Sequence, residues 1–343
     1  MRRDSTTHQT TLTQIAISMR TVFNLITILL IGFDIGSHAD AIAQSNKARL
    51  HDGHAVIRSP AGGSEIVITT TSRVAGAIHS ITWNGQEFIN SFDHGRQLQS
   101  AANFDCGTKF TSETFNPTEA GSRRDGAGKS STSRLLHMTA TRDALQTSTQ
   151  MAFWLAPDEK SAGHIAKNEK TRSNHLLTKR VQIGYDGLPN VIEYKVTFSV
   201  PIGNKHTYAQ FEAVTGYMPP KFRKFWKFNS ESGKLDPLSD GPGEQSQPVV
   251  FSTESGSHAM DVISPDQPSP GYQQAGYERF RFPQRKVVKW NCVFRIRDLE
   301  SVKPGDYPFR MFVVVGDLKA VTKSLRTLKE KFADKRSLSG ARR

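Results

Sequence analysis

The chain of 343 residues lacks the short motifs on which several common enzyme classes depend. It contains no Walker-type phosphate loop, no Gly-x-Gly-x-x-Gly segment opening a helix, no Gly-x-Ser-x-Gly elbow and no His-Glu-x-x-His. These absences argue against nucleotide, serine hydrolase and zinc peptidase chemistry. His51 and His54 form only an isolated His-x-x-His near the expected mature N-terminus, where we expect fraying, so we predict no metal site and no cofactor.

Cysteine is scarce, since only Cys106 and Cys292 occur. In an oxidising compartment the pair permits one disulfide. Cys292 also lies on the apolar face of a strand pattern, where a free buried thiol fits equally well. No repeat with a period of about 20 to 50 residues is visible, which argues against solenoids and propellers.

Long hydrophobic runs are also missing. The main apolar run covers residues 22–33, shorter than the roughly 20 residues that span a bilayer. Arg20 precedes it, and Ala41 and Ala43 follow as a small-x-small cleavage site, so residues 1–43 are predicted to be a signal peptide with Met1 or Met19 as the start. We expect no transmembrane segment after cleavage and a secreted or periplasmic location. An uncleaved amphipathic anchor is the alternative.

Composition favours a β-rich domain: 36% of the residues are hydrophobic, with 26 Gly, 16 Pro and 20 Phe. The formal net charge is +13. For an exported protein this charge suits anionic glycans or envelope polymers rather than nucleic acid, although it can also serve solubility alone. We expect one domain over residues 44–332 and a disordered basic tail over residues 333–343. The oligomeric state is left open.

Apolar periodicity predicts the elements. Residues 77–83 end in the turn dipeptide Asn84-Gly85, which predicts a β-hairpin. Residues 191–200 and 287–297 alternate apolar and polar side chains, as half-buried strands do. From Asp317, a plausible N-cap, the apolar spacing changes to three and four, which predicts an amphipathic helix. The fold class is therefore mainly β, a large antiparallel β-sandwich with a C-terminal helix.

The first candidate functional stretch covers residues 93–99 and is dense in polar side chains. If it is extended, His94 and Arg96 face one way, about 6.6 Å apart along the strand. Imidazole can transfer a proton near neutral pH, and guanidinium can bridge two hydroxyls or a carboxylate. The alternative is a polar strand end in which Arg96 pairs with Asp93.

Two further stretches carry candidate carboxylates. Residues 116–121 place Glu119 in a turn stiffened by Pro117, where it can act as an acid or base or form a loop salt bridge. In residues 206–218, alternation puts Gln210 and Glu212 on one face, where Glu212 is the preferred base or a surface acid. The basic aromatic run 222–228 suits sugar stacking or core packing.

The order of these features resembles the galactose mutarotase-like supersandwich. The resemblance is carried by residues 76–99, 210–217 and 305–328, whose individual motifs are short. It implies a two-sheet sandwich whose concave face binds carbohydrate, with activities that include aldose epimerisation and, on related domains, glycan cleavage or recognition. It also implies that Arg96 binds substrate and that Glu212 is the catalytic base. His137, His175 and His206 are candidates for the histidines of true mutarotases.

We therefore predict an exported carbohydrate-active protein that acts by acid/base chemistry, with hydrolase, lyase and epimerase all open. The predicted partner is carbohydrate, with anionic polysaccharide as one candidate. A non-catalytic glycan-binding or structural envelope module is the alternative. The catalytic residues are predicted to be His94, Glu212 and Glu119, and the substrate-binding residues are Arg96, Asn116, Gln210 and Tyr217.

Overall fold

Antiparallel strands make up most of the chain in the computed structural model, which describes residues 49–50, 52–203, 205–265 and 275–340. The signal peptide prediction, His51 and residues 341–343 of the predicted tail lie outside these ranges. The strands are β1 (Arg49–Leu50), β2 (Ala55–Ala61), β3 (Ser64–Thr70), β4 (Ile78–Trp83), β5 (Gln86–Glu87), β6 (Leu98–Phe104), β7 (Pro117–Thr118), β8 (Arg134–Ala140), β9 (Ala144–Phe153), β10 (Lys160–Ser161), β11 (His164–Ile165), β12 (Arg172–Tyr185), β13 (Leu188–Val200), β14 (Tyr208–Met218), β15 (Lys224–Asn229), β16 (Lys234–Pro237), β17 (Gly243–Gln245), β18 (Val249–Ser252), β19 (Ala259–Ile263), β20 (Gly276–Phe282), β21 (Val287–Arg297) and β22 (Gly305–Gly316). One helix, α1 (Leu318–Gly340), and 3-10 turns at Ser72–Val74, Arg123–Asp125 and Pro283–Arg285 complete the described elements.

The strand pairings trace two layers. The first layer has the order β17–β20–β21–β14–β6–β4–β3–β2. The second has the order β1–β8–β9–β12–β13–β22–β19–β18–β15–β16. The short strand β7 pairs with β6 and with β9 and so joins the layers at one side.

Aromatic side chains pack the two layers against each other. Phe211 of β14 lies 5.0 Å from Phe198 of β13 and 5.1 Å from Phe309 of β22, measured between ring centroids. Phe294 of β21 stacks on Phe309 at 4.5 Å. Burial of such rings supplies most of the energy that holds a β-sandwich together. The predicted mainly β sandwich is confirmed.

The elements predicted from periodicity are confirmed. Asn84 and Gly85 adopt positive φ angles of 48° and 73°, and Trp83 pairs with Gln86 across the turn. The segments 191–200 and 287–297 lie within β13 and β21, whose apolar residues are buried. In the basic aromatic run, Phe222, Phe225 and Phe228 are buried, so these three rings serve core packing.

Helix α1 covers the outer face of the second layer. Its cap is the predicted one, because the Asp317 carboxylate accepts a hydrogen bond from the Ala320 amide at 2.7 Å. Val321, Leu325, Leu328 and Phe332 pack on a cluster that includes strands β13, β19 and β22. The helix continues to Gly340 and so includes residues 333–340, which the sequence assigned to the tail.

Two further findings concern the described residues alone. Cys106 and Cys292 are both free thiols, and Cys292 is buried as its strand pattern indicated. None of the helices in the described ranges combines the length and the apolar character that crossing a membrane requires.

Candidate functional site

A cleft of about 800 Å³ opens on the outer face of the first layer. Strands β6, β14, β21 and β20, which are neighbours in the sheet, form its floor. Its walls come from the loop between β5 and β6, from segments between β6 and β8, and from the turn between β20 and β21. Six predicted site residues line this cleft: His94, Arg96, Asn116, Gln210, Glu212 and Tyr217.

A β-bulge in β14 decides which of its side chains face the cleft. Gln210 and Glu212 line the cleft, while Phe211 between them points into the core. The pairing with β21 shifts register between Glu212 and Val214, and beyond this shift Thr215 and Tyr217 line the cleft instead. The predicted alternation is confirmed as far as the bulge. The bulge then adds Tyr217 to the same surface.

Glu212 lies on the cleft floor and is held by three donors. Its Oε2 accepts hydrogen bonds from Lys289 Nζ at 3.2 Å and from Asn291 Nδ2 at 3.1 Å. Its Oε1 accepts one long hydrogen bond, 3.4 Å, from Asn103 Nδ2. Since Oε2 is occupied by two donors, Oε1 is the oxygen with lone pairs to offer a ligand.

A second carboxylate, Glu278 of β20, lies beside Glu212. Asn291 Nδ2 also donates to Glu278 Oε2 at 2.7 Å, so one amide nitrogen bridges the two carboxylates. Arg295 Nη2 lies 3.2 Å from Glu278 Oε1. Burial, followed by the negative charge of Glu212, raises the pKa of Glu278 above its ordinary value. Glu278 therefore holds its proton at a higher pH than a solvated glutamate does.

Lys289 supplies the positive charge at this point of the floor. Its Nζ lies 5.2 Å from the ring centroid of Tyr217 and 5.4 Å from that of Phe280, between two aromatic faces. Burial alone would lower the pKa of Lys289, but the charge of Glu212, with smaller effects from Tyr217 and Glu278, raises it instead. Lys289 thus stays protonated and keeps Glu212 in place.

The stretch 93–97 is not the strand that the sequence suggested. Residues 92–97 form bends and turns, and β6 begins at Leu98. The Asp93 carboxylate accepts a hydrogen bond from Gly95 N at 3.0 Å, and Arg96 N donates to the Asp93 carbonyl at 3.1 Å. An aspartate whose side chain bonds the backbone two residues later favours a turn over an extended chain. The predicted alternation of His94 and Arg96 along a strand is therefore wrong, although both still reach the cleft wall.

Arg96 is fixed in the wall by three contacts. Its Nε lies 3.1 Å from Asp93 Oδ2, and its Nη1 donates to the carbonyl of Arg285 at 3.2 Å. The guanidinium carbon lies 5.3 Å from the ring centroid of Phe92. The pairing with Asp93, which the sequence left open as an alternative, coexists with a place in the cleft.

His94 uses both ring nitrogens inside the protein. Nδ1 lies 2.8 Å from the carbonyl oxygen of Gly126, and Nε2 lies 2.8 Å from that of Arg73. The residue is 1% exposed. Carbonyl oxygens only accept, so the ring donates to them through whichever nitrogen carries a hydrogen. His94 ties the wall to two other segments, and neither nitrogen is left for a ligand.

Glu119 lies in the protein interior instead of at the cleft. It is fully buried and forms an ion pair with the equally buried Lys179 of β12. Its Oε2 accepts a hydrogen bond from Ser100 N at 3.1 Å, and Lys179 Nζ donates to the Gly76 carbonyl at 2.8 Å. Asn116, from the same predicted turn, does line the cleft, and its amide donates to Ala102 O at 2.6 Å.

Aromatic side chains complete the cleft. Trp154 packs over Gly95 so closely that a Cβ there would lie 2.8 Å from Trp154 Cη2. The backbone of Trp154 is fixed by hydrogen bonds to Asn116 O at 2.8 Å and from Arg123 N at 2.7 Å. A residue with a side chain at position 95 would displace the indole, which explains the glycine. The floor adds Phe280 and Phe282.

Sequence reasoning missed Glu278, Lys289 and Asn291. The alternation of residues 287–297 did place Lys289 and Asn291 on the polar face of a core strand. A polar face on such a strand indicates residues that can line a cleft. Asn291 is 1% exposed, so its amide needs partners, which the two carboxylates supply. In the described part of the chain, no three His, Cys, Asp or Glu side chains are grouped to hold a metal ion.

Comparisons with known proteins give only distant similarities. No protein-family model matches the chain, and a search of curated proteins found no relative. The Slr1438 protein from Synechocystis sp. PCC 6803 is 9% identical, with 77% of this chain and 96% of that chain covered and a TM-score of 0.40. The GH36 alpha-galactosidase AgaA from Geobacillus stearothermophilus is 10% identical over 77% of this chain and 41% of its own, with a TM-score of 0.38. A mutant of the heparan sulfate lyase HepC from Pedobacter heparinus is 8% identical over 78% and 36%, with a TM-score of 0.39. At these values the galactose mutarotase-like resemblance remains a proposal.

Proposed function

We propose that this protein binds a carbohydrate in the cleft and transfers protons to and from it, with Glu212 as base and Glu278 as acid. The observation that carries the proposal is the Asn291 amide bridging two carboxylates whose surroundings differ. Glu212 is paired with the ammonium group of Lys289, whereas Glu278, paired with the guanidinium group of Arg295, has a raised pKa. Paired carboxylates in unlike surroundings are the usual basis for dividing acid and base roles.

The rest of the cleft supports a sugar as the ligand. Arg96 and Gln210 offer polar groups on a wall and on the floor, and Trp154 and Tyr217 offer aromatic surface. Sugars present hydroxyl groups at their edges and apolar C–H groups on their ring faces, so they need both kinds of contact. Membership of the galactose mutarotase-like superfamily is part of this proposal.

The test is to incubate the protein with neutral and uronic-acid polysaccharides and oligosaccharides. Reducing ends, absorbance of unsaturated products and the rate of interconversion of the α and β anomers are followed together. Hydrolysis, elimination and epimerisation each change one of these signals. We expect a change in one of them that Glu212→Gln strongly slows. No change with any sugar, although sugar binds, would contradict the catalytic part of the proposal.

A non-catalytic glycan-binding module is the second candidate. It is favoured by the positions of His94, whose ring nitrogens both lie against backbone carbonyl oxygens, and of Glu119, which is paired inside the protein. Two of the three predicted catalytic side chains are thus committed to structural contacts. For this candidate, a bound sugar is recovered chemically unchanged after long incubation.

Export is also proposed, on the apolar run at residues 22–33 and the small residues Ala41 and Ala43. The measurement is the intact mass and N-terminal sequence of the protein recovered from the envelope or medium of an expressing bacterial cell. We expect a mature N-terminus at Gln44. An uncleaved chain retained in the cytoplasm would contradict export.

A further inference from the structure

Strand β20 presents a row of three side chains to the cleft: Glu278, Phe280 and Phe282. They are alternate residues of one strand, so they share a face and follow one another at about 6.6 Å. The row begins at the proposed acid and continues toward the turn Pro283–Arg285 at the cleft wall. An aromatic surface therefore extends away from the carboxylate pair in one direction.

The two phenylalanines of this row differ from those of the core. Their ring planes are within 8° of parallel, with centroids 5.8 Å apart, and both side chains are only half-buried. Stacked pairs also occur in the core, such as Phe294 and Phe309 at 21°, but the rings of those pairs are buried. Leaving two large apolar rings partly in water forgoes burial energy. A flat, accessible aromatic surface is what an apolar sugar face stacks against.

The two rings have different neighbours. Phe280 has the Lys289 ammonium 5.4 Å from its centroid, so one side of this ring shields the ion pair of Lys289 with Glu212. Among the described residues, no ammonium or guanidinium group lies over the Phe282 ring as Lys289 does over Phe280. Phe282 thus continues the surface of Phe280 beyond the charged centre, where a ligand longer than one sugar would lie.

We propose that the cleft binds a glycan chain of at least two sugar residues, with one residue at Glu212 and Glu278 and the next stacked on Phe280 and Phe282. This inference rests on the proposed function and names its substrate class as an oligosaccharide or polysaccharide rather than a free monosaccharide. The cleft volume of about 800 Å³ is near the upper end of the range for small-molecule pockets, roughly 300–1,000 Å³. The spacing of about 6.6 Å between alternate side chains of a strand is comparable to the length of one sugar residue.

The experiment is a binding series on the intact protein. An array of neutral and uronic-acid glycans with one, two, four and six residues identifies binders, and calorimetry with the soluble sugars measures their affinity. For the unaltered protein we expect the tetrasaccharide to bind about tenfold more tightly than the corresponding monosaccharide, since stacking on an aromatic pair contributes on that scale.

Two variants test whether Phe282 causes the tighter binding of the longer sugar. Phe282→Ala is expected to lose the dependence on chain length while it binds the monosaccharide as the unaltered protein does, and Phe282→Tyr, which keeps the flat ring, is expected to retain it. Equal affinity for one and four residues in the unaltered protein, or a full gain in Phe282→Ala, would overturn the inference and leave the proposed function standing. Binding of no glycan at all would contradict both. The chain-length comparison decides the inference even if Phe282→Ala does not fold.

Discussion

At the scale of single residues, the Asn291 bridge makes the two carboxylates of the cleft testable separately. Glu212→Gln and Glu278→Gln each keep the shape of the side chain and remove the group that gives or takes a proton. We expect each to lower turnover by roughly 10² to 10⁴, the usual contribution of one acid or base. Glu254→Gln, at an exposed acid paired with Arg223, is the matched control and should leave turnover unchanged. Equal turnover in all three variants would remove both carboxylates from the reaction.

The raised pKa of Glu278 predicts the direction of the pH dependence. As the acid, Glu278 must be protonated, so activity is present below its pKa and is lost as the pH rises through it. Because that pKa lies above the ordinary value for glutamate, the loss comes at higher pH than for a solvated carboxyl group. The pH profile of kcat/KM checks this. The residual activity of Glu278→Gln should not show this loss as the pH rises.

The buried ion pair of Glu119 and Lys179 has a structural role that stability measurements can test. Removing one partner leaves the other charge buried and unpaired, so Lys179→Met is expected to lower the free energy of unfolding by about 3–5 kcal/mol. The double variant Lys179→Met with Glu119→Leu should lose less than the sum of the two single variants. Urea unfolding measures all three. Strictly additive losses would mean that the two side chains do not interact.

At the scale of elements, the N-cap of helix α1 contributes less to the free energy of unfolding than the buried ion pair does. Asp317→Ala removes the hydrogen bond to the Ala320 amide and should lower the free energy of unfolding by about 1 kcal/mol. Asp317→Asn keeps an acceptor oxygen and should lose only part of this. Thermal and urea unfolding give the comparison. A larger loss for Asn than for Ala would contradict the assignment of the cap.

Much of the element order could be predicted from the sequence, because period-two alternation and turn dipeptides report on local geometry. Residues 191–200, 287–297 and the Asn84-Gly85 hairpin are examples. The turn at Asp93 and the bulge after Glu212 could not, because the same residues are compatible with an extended chain. Their conformations depend on partners such as Trp154 and β21, which are distant in the sequence.

In the candidate site, too, local sequence patterns predicted some residues, whereas others depend on partners that are distant in the sequence. Gln210 and Glu212 could be predicted because they alternate along one strand with a clear pattern, whereas Tyr217 reaches the same surface through the bulge. Glu278 could not, since only the sheet order β14–β21–β20 brings it beside Glu212. Glu119 was predicted at the cleft, and the structure places it inside because Lys179, 60 positions away, supplies its charge partner.

At the scale of the whole molecule, two buried histidines predict acid sensitivity. His175 and His206 pack among Phe104, Phe115 and other rings between the layers. Burial lowers the pKa of His175 to about 3, helped by His206. Burial lowers that of His206 to about 4, where nearby Asp105 opposes the shift and Lys167 adds to it.

The sign of the effect follows from these shifts. Below about pH 6.5 the unfolded chain binds protons that the folded protein does not, so stability is full above this pH and falls as the pH drops toward 4 and 3. Urea unfolding between pH 7.5 and 4 measures the slope of the free energy of unfolding against pH. His175→Phe should reduce it, and His258→Gln, at a half-exposed histidine, should not. An unchanged slope in His175→Phe would contradict this role.

The four strands of the cleft floor have a consequence for finding the ligand. They come from Leu98–Phe104, Tyr208–Met218, Gly276–Phe282 and Val287–Arg297, so no short fragment of the chain contains the cleft. A sugar that fits it binds only completely folded molecules. Such a ligand stabilises the native state by about 2.7 kcal/mol at a free concentration of 100 times its Kd. An upward shift of the melting temperature can therefore serve as a screen for the natural glycan that needs no knowledge of the reaction.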